Sequence, residues 1–198
     1  MIKAAARNIA SKWVKSSIVN KEELEVYAYG CELMISDFIS NSILLIAGIC
    51  MNKVLETIIF LIAFTIIRVV SGGYHASSYR NCIFLFCSSS VLVLIFTNWI
   101  VKMGLYSWLF LCLIIADIII LKFAPVETHN RPLEDEEKVK YRRKAILRTV
   151  SINAVAILFF VSFPSLTDEI SYVFMAVCYA AAFLVAGLHG DLSRARGL

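Results

Sequence analysis

The stretch from Leu105 to Ala124, LYSWLFLCLIIADIIILKFA, decides the fold. Only Asp117 and Lys122 carry charge in it, and at about 1.5 Å of rise per residue its helix is as long as a bilayer's hydrocarbon core is thick, about 30 Å. Runs of the same kind recur at about 33–51, 54–70, 82–101, 145–163 and 170–188. Within lipid every backbone N–H and C=O must find its partner inside the segment, which favours helices over isolated strands. The chain is therefore expected to be an all-α, polytopic helix bundle with about six transmembrane helices. Composition agrees: 60% of the 198 residues are apolar and 17% charged, against about 45–50% and 25% in soluble domains, and mean hydropathy is +0.77. Soluble globular, disordered, collagen-like and nucleic-acid-binding classes are excluded together.

The net charge of +4 reads as a topology signal. Of the 19 lysines and arginines, five lie in residues 3–21, two in 68–80, eight in 122–148 and two in 194–196, leaving only Lys53 and Lys102 for the opposite side. The positive-inside rule then puts the N-terminus, the 68–82 segment and the 122–145 segment at the cytoplasmic face of the cell membrane. The opening residues set Ile2, Ala5, Ala6, Ile9, Ala10, Trp13 and Val14 against Lys3, Arg7, Lys12 and Lys15. That period predicts an amphipathic helix over 1–20 lying along an anionic leaflet. No small-residue cleavage region follows, so the first apolar run is expected to stay as an anchor. The expectation is one domain over 1–198, with a basic cytoplasmic loop over 122–145. Two runs are irregular: Glu32–Met51 is broken by Asp37, Asn41 and serines, so its first half is interfacial or lines a cavity. The run 82–101 carries Ser88, Ser89 and Ser90, which are tolerable where hydroxyls bond back to helix carbonyls or pack on a neighbour; a re-entrant segment is the alternative. Asp117 is expected to pair inside the bundle.

Between the second and third runs stands RVVSGGYHASSYRNC, Arg68 to Cys82. Irregular backbone at this depth persists only when it is buried in protein or wet. On an unbroken helix His75 and Cys82 would share a face yet stand about 10 Å apart, too far for a base to take a thiol proton. The chain must fold back, and Gly72-Gly73 supplies the freedom through positive φ. Cys82 could then open the next helix, with Arg80 nearby, where dipole and cation favour a thiolate. The other five cysteines lie in apolar runs as small hydrophobes, with no disulfide expected. Packing is the competing reading for both His75 and Cys82, and snorkelling to headgroups for Arg68. No metal or cofactor is expected: His75, His129 and His189 are scattered, and neither a His-Glu-x-x-His nor a Gly-x-Ser-x-Gly motif occurs. Glu136-Glu137 starts a pattern reminiscent of prenyl-protein proteases, but Arg142 stands one place too late, so a solvated charge run is read there.

Arg-x-x-Ser-Gly-Gly-Tyr-His-Ala with Cys82 six positions on, preceded by Tyr29-Gly30-Cys31-Glu32 and followed by Phe123-Ala-Pro-Val-Glu-Thr-x-Asn-Arg-Pro-Leu133, resembles the AgrB family, accessory gene regulator protein B, along nearly the whole chain. The resemblance implies a membrane cysteine endopeptidase that processes a small AgrD-like precursor into a cyclic quorum-sensing peptide. By it, Cys82 is the nucleophile and His75 the general base, while Arg68 and Gly73 match further motif positions. Gly72, Ser77, Pro125 and Arg131 are expected to bind substrate or support the site. Glu32 is a candidate to orient His75 or touch the precursor, with a structural hydrogen bond as the alternative, and the backbone N–H groups of Cys82 and its neighbours are the first place to look for an oxyanion hole. Thiolate attack would expel the precursor's acidic tail and leave a thioester, which a cysteine or serine of the peptide then takes up, giving a thiolactone or a lactone. The basic 122–148 segment either sets topology and meets anionic lipid or attracts that tail. A homodimer is compatible with the family. The competing function is a non-enzymatic peptide transporter or interaction scaffold; a third is proteolysis to a linear product.

Overall fold

The computed structural model describes residues 2–74, 78–126 and 134–195, without the side chains of 190–195. Among the described residues there are seven α-helices and no β-strand: α1 (Ile2–Lys15), α2 (Leu24–Cys50), α3 (Val54–Ser71), α4 (Tyr79–Lys102), α5 (Tyr106–Phe123), α6 (Asp135–Ser162) and α7 (Thr167–Ala195). Helices α2 to α7 are each long and apolar enough to cross a membrane, so the chain is a multi-pass membrane protein of the expected all-α class. The amphipathic opening is α1, which ends at Lys15 rather than reaching residue 20, and packs along α2 with Ala6 and Ala10 fully buried. An Arg7–Glu25 ion pair at 2.7 Å and an edge-on contact of Trp13 with Tyr27 fix the two helices together.

The centre of the bundle is α7. About two-thirds of its apolar stretch is buried, 67% against 22–39% for the other spans, and it packs on α3, α4, α5 and α6. Its sequence explains this place. Ala176, Ala180 and Ala181 are buried, and small residues let membrane helices approach closely where no hydrophobic force drives them together. Around them Phe60, Phe64, Phe86, Tyr179 and Phe183 make a continuous ring cluster, with centroids 5.1 Å apart for Phe64–Tyr179 and 4.8 Å for Tyr179–Phe183. The serine run beside it is regular helix, not a re-entrant turn. Ser88 donates to Phe84 O at 2.7 Å, Ser89 to Leu85 O at 2.5 Å, and Ser89 and Ser90 meet the Tyr179 hydroxyl at 2.6 and 3.0 Å. Asp117 on α5 pairs as expected: Asn153 on α6 donates to both its oxygens, at 2.7 and 2.9 Å.

The helix ends differ from the apolar runs. Helix α2 starts at Leu24, and α6 starts at Asp135 rather than near 145, so the basic segment read as a loop over 122–145 is helical from Asp135 onward. A helix does not stop where hydrocarbon stops: Glu, Lys and Arg are good helix formers, and Asp135, Glu136 and Glu137 in the first turn suit the positive end of its dipole.

Candidate functional site

Helix α3 ends at Ser71, and the next two residues have φ of +69° (Gly72) and +123° (Gly73). Side chains rarely adopt either conformation, so the paired glycine is what allows the chain to turn back here. The turned segment is then held from several sides. Arg68, one turn before the break, donates through Nη1 to Gly72 O and through Nη2 to Tyr74 O at 2.6 Å. Val126 N donates to Ser71 O at 2.9 Å, Gly72 and Val126 pair as a short parallel bridge, and Tyr74 N donates to Phe183 O of α7 at 2.9 Å. The Arg68 guanidinium also lies over the Phe183 ring, 5.3 Å from its centroid. Close approach to α7 depends on Gly187: a Cβ there would stand 2.8 Å from both Gly73 C and Tyr74 N. The Arg68 fork thus clamps the backbone immediately before His75 rather than snorkelling free.

On the other side of the break, Ser78 caps α4, its side chain accepting from Asn81 N at 3.3 Å. Cys82 stands in the first turn, half-buried, at the end where the peptide dipoles present their N–H groups. The Cys82 N–H itself is spent, donating to Ser78 O at 3.0 Å. An oxyanion hole built on that amide is therefore ruled out; of the four N–H groups that precede the first helical bond, Asn81's goes to Ser78 Oγ, which leaves those of Ser78, Tyr79 and Arg80 without an intrahelical acceptor. Glu32 on α2 accepts from the Tyr79 hydroxyl at 2.6 Å and so pins the start of α4 to α2.

Cys82 and Arg68 open onto a cavity of about 980 Å³ between α2, α3, α4 and α7, closed on one side by Pro125 and Val126. Gly72 lines it too, with Gly73 buried directly behind beneath Arg68. Across from Arg68 stands Asp37 of α2. Of the residues singled out in the sequence, Arg68, Gly72, Gly73, Cys82 and Pro125 come together here; Glu32 sits at the neighbouring helix start. His75, Ser77 and Arg131 lie outside the described residues. Two contributors were not foreseen, Phe183 and Gly187. Their signal is the α7 face Ala176–Ala180–Phe183–Gly187 at spacings of four, three and four, whose last member lies against the backbone of Gly73 and Tyr74.

Fold and site together define a multi-pass membrane protein in which a thiol at a helix start faces a cavity of the helix bundle beside a clamped glycine break. The chain belongs to the accessory gene regulator B family, whose model matches residues 6–186. It is 33% identical over 157 residues to "Putative AgrB-like protein 2" of Clostridium perfringens strain 13, covering 77% of this chain and 73% of that one. It is 31% identical, with the same coverage, to "Putative AgrB-like protein" of C. perfringens strain SM101, and 28% identical over 137 residues to the Listeria innocua protein of that name, covering 66% and 63%. No solved structure matches. Membership ties the chain to processing in the accessory gene regulator system.

Proposed function

We propose that this protein is a cysteine endopeptidase of the bacterial cytoplasmic membrane, its site facing the cytoplasm, which removes the C-terminal tail of an AgrD-like precursor and releases a cyclic quorum-sensing peptide. The observation that carries the reading is the place of Cys82: a half-buried thiol in the first turn of α4, open to a cavity that Arg68 also lines. His75 follows Tyr74 directly, and Tyr74 is tied at both its N–H and its C=O, a fixed mount for a general base.

In the proposed reaction His75 takes the Cys82 proton, and the thiolate attacks the scissile carbonyl carbon. The C–N bond breaks, the tail's new amine leaves with the proton from His75, and the acyl group remains on Cys82 as a thioester. A thiol or hydroxyl within the peptide then attacks that carbonyl, Cys82 departs and is reprotonated, and the ring closes without consuming water. Apolar walls at Phe86, Val70 and Phe183 keep the thioester from hydrolysis. Anionic lipid at the basic segments and a second copy of the chain are further partners of the reading. Its test is the product's mass on co-expression with an AgrD-like precursor: a cyclic product is one water lighter than the linear one. Linear product alone would leave a protease without cyclisation, and intact precursor would favour a transporter or scaffold.

A further inference from the structure

The wall of the cavity opposite the nucleophile is a stripe of α2. Glu25, Tyr29, Leu33, Asp37 and Asn41 follow one another every four residues, a row that winds slowly around the helix, and all line the cavity, so from Glu25 to Asn41 the stripe runs about 24 Å along the helix. It starts at the end where α1 packs and reaches deep into the span. The depth of Cys82 on this wall follows from helix register. Glu32 meets Tyr79 and Ser40 O meets Cys87, both at a sequence offset of 47, so α2 and α4 run side by side in constant register and Cys82 stands level with residue 35. Asp37 lies within a turn of that level, and Asn41 one turn beyond.

Neither Asp37 nor Asn41 has a hydrogen bond to another described residue, although Ser40 between them is bonded to Ser36 O at 2.9 Å. Polar side chains at membrane depth are costly and face a bundle interior, water or a ligand. Here they face the cavity that holds the thiol. Their spacing carries a second message. Four helical residues rise about 6 Å, and an extended peptide repeats the polar groups of one edge about every 6.6 Å. Asp37 can only accept, and Asn41 both donates and accepts. The pair therefore matches main-chain N–H and C=O groups presented along one edge of an extended segment. A volume near 980 Å³, at the upper end of ligand pockets, admits a short stretch of peptide and no folded domain.

We infer that Asp37 and Asn41 form a main-chain-binding subsite that holds the precursor's acyl-side segment, the residues preceding the scissile carbonyl, in extended form against α2 while Cys82 attacks. The inference rests on the endopeptidase reading. An extended segment entering the cavity gives up water at its main-chain amides, so a positioned carboxylate and carboxamide satisfy them and set the depth at which the scissile bond meets the thiol.

The test uses the full chain in lipid nanodiscs with a synthetic AgrD-like precursor and analogues, each with one acyl-side N–H replaced by N-methyl. Tail cleavage is measured against peptide concentration for wild type, Asp37→Leu, Asp37→Asn and Asn41→Leu, and Cys82 alkylation by iodoacetamide verifies that each variant keeps its site. Asp37→Leu should raise the half-saturating concentration about ten-fold or more, and Asp37→Asn by less, with alkylation unchanged. One methylation should cost wild type a similar factor and cost Asp37→Leu almost nothing further. Wild-type half-saturation in Asp37→Leu and Asn41→Leu, or a methylation penalty identical in every variant, would overturn the subsite. Cleavage that persists in Cys82→Ala would instead overturn the endopeptidase reading beneath it.

Discussion

Replacing Gly187 with alanine should abolish most activity while leaving most of the stability. The new Cβ would stand 2.8 Å from Gly73 C and Tyr74 N and 2.9 Å from Gly73 Cα, where carbon contacts normally settle at about 3.5–4.0 Å. All three atoms are backbone, so the glycine segment must retreat from α7 by about 0.7 Å or more. That stretches the 2.9 Å bond from Tyr74 N to Phe183 O beyond hydrogen-bonding range, at a cost of about 1–3 kcal/mol, partly offset by about 1 kcal/mol of helix propensity gained on replacing glycine. The net stability loss is small. Tyr74 immediately precedes the proposed general base in the sequence, and a displacement of about 1 Å in catalytic geometry costs about 100-fold in rate. The assay is the initial rate of tail loss from a precursor at matched membrane levels, beside the variant's melting temperature. Gly48→Ala is the comparison: its Cβ would meet Thr57 Oγ1 at 2.5 Å and Thr57 Cβ at 3.0 Å, an overlap with a buried side chain rather than with backbone, at the far end of α2 and α3. It should lose stability but keep its rate per folded molecule. Wild-type rate in Gly187→Ala, or equal rate losses in the two variants, would refute the idea that α7 seats the Gly73–Tyr74 backbone for catalysis.

Three further outcomes follow from named contacts. Arg68→Lys keeps the charge but loses the fork that reaches Gly72 O and Tyr74 O, so tail cleavage should fall about 10–100-fold with insertion intact; rates at matched expression check it. Tyr79→Phe and Glu32→Leu each break the 2.6 Å bond that pins α4 to α2, and a double-mutant cycle on thermal stability should return a coupling of about 1.5–3 kcal/mol, as for hydrogen bonds to a charged group. Asn153→Leu strips Asp117 of both hydrogen bonds and should cost about 1–3 kcal/mol or more. Adding Asp117→Leu should recover most of it in a melting experiment, with rate per folded molecule unchanged throughout.

The six spans were legible because each apolar run has the length that hydrocarbon imposes, and α1 because its period separates lysines from alanines. Helix ends were not legible: Leu24 and Asp135 begin helices among charged residues, where hydropathy falls but helix propensity does not. Nor was the central place of α7, since Ala176, Ala180 and Gly187 score as apolar or neutral and matter through smallness. The glycine break was readable from the spacing of His75 and Cys82, and Gly72 and Gly73 do carry positive φ. What holds the break could not be read, because Phe183 and Gly187 act through a backbone carbonyl and a missing Cβ more than a hundred residues away. The expectation for the Cys82 amide failed for a local reason: four residues after the cap Ser78, an amide already has its helical acceptor.

The most direct test of the account is the intact mass of this protein after brief exposure to an AgrD-like precursor in membranes, for wild type and Cys82→Ala at equal levels. The account predicts a wild-type adduct of the precursor's acyl portion, sensitive to hydroxylamine as a thioester is, with release of the C-terminal tail, and neither in Cys82→Ala. Tail release that survives Cys82→Ala, or an adduct on another residue, would contradict it.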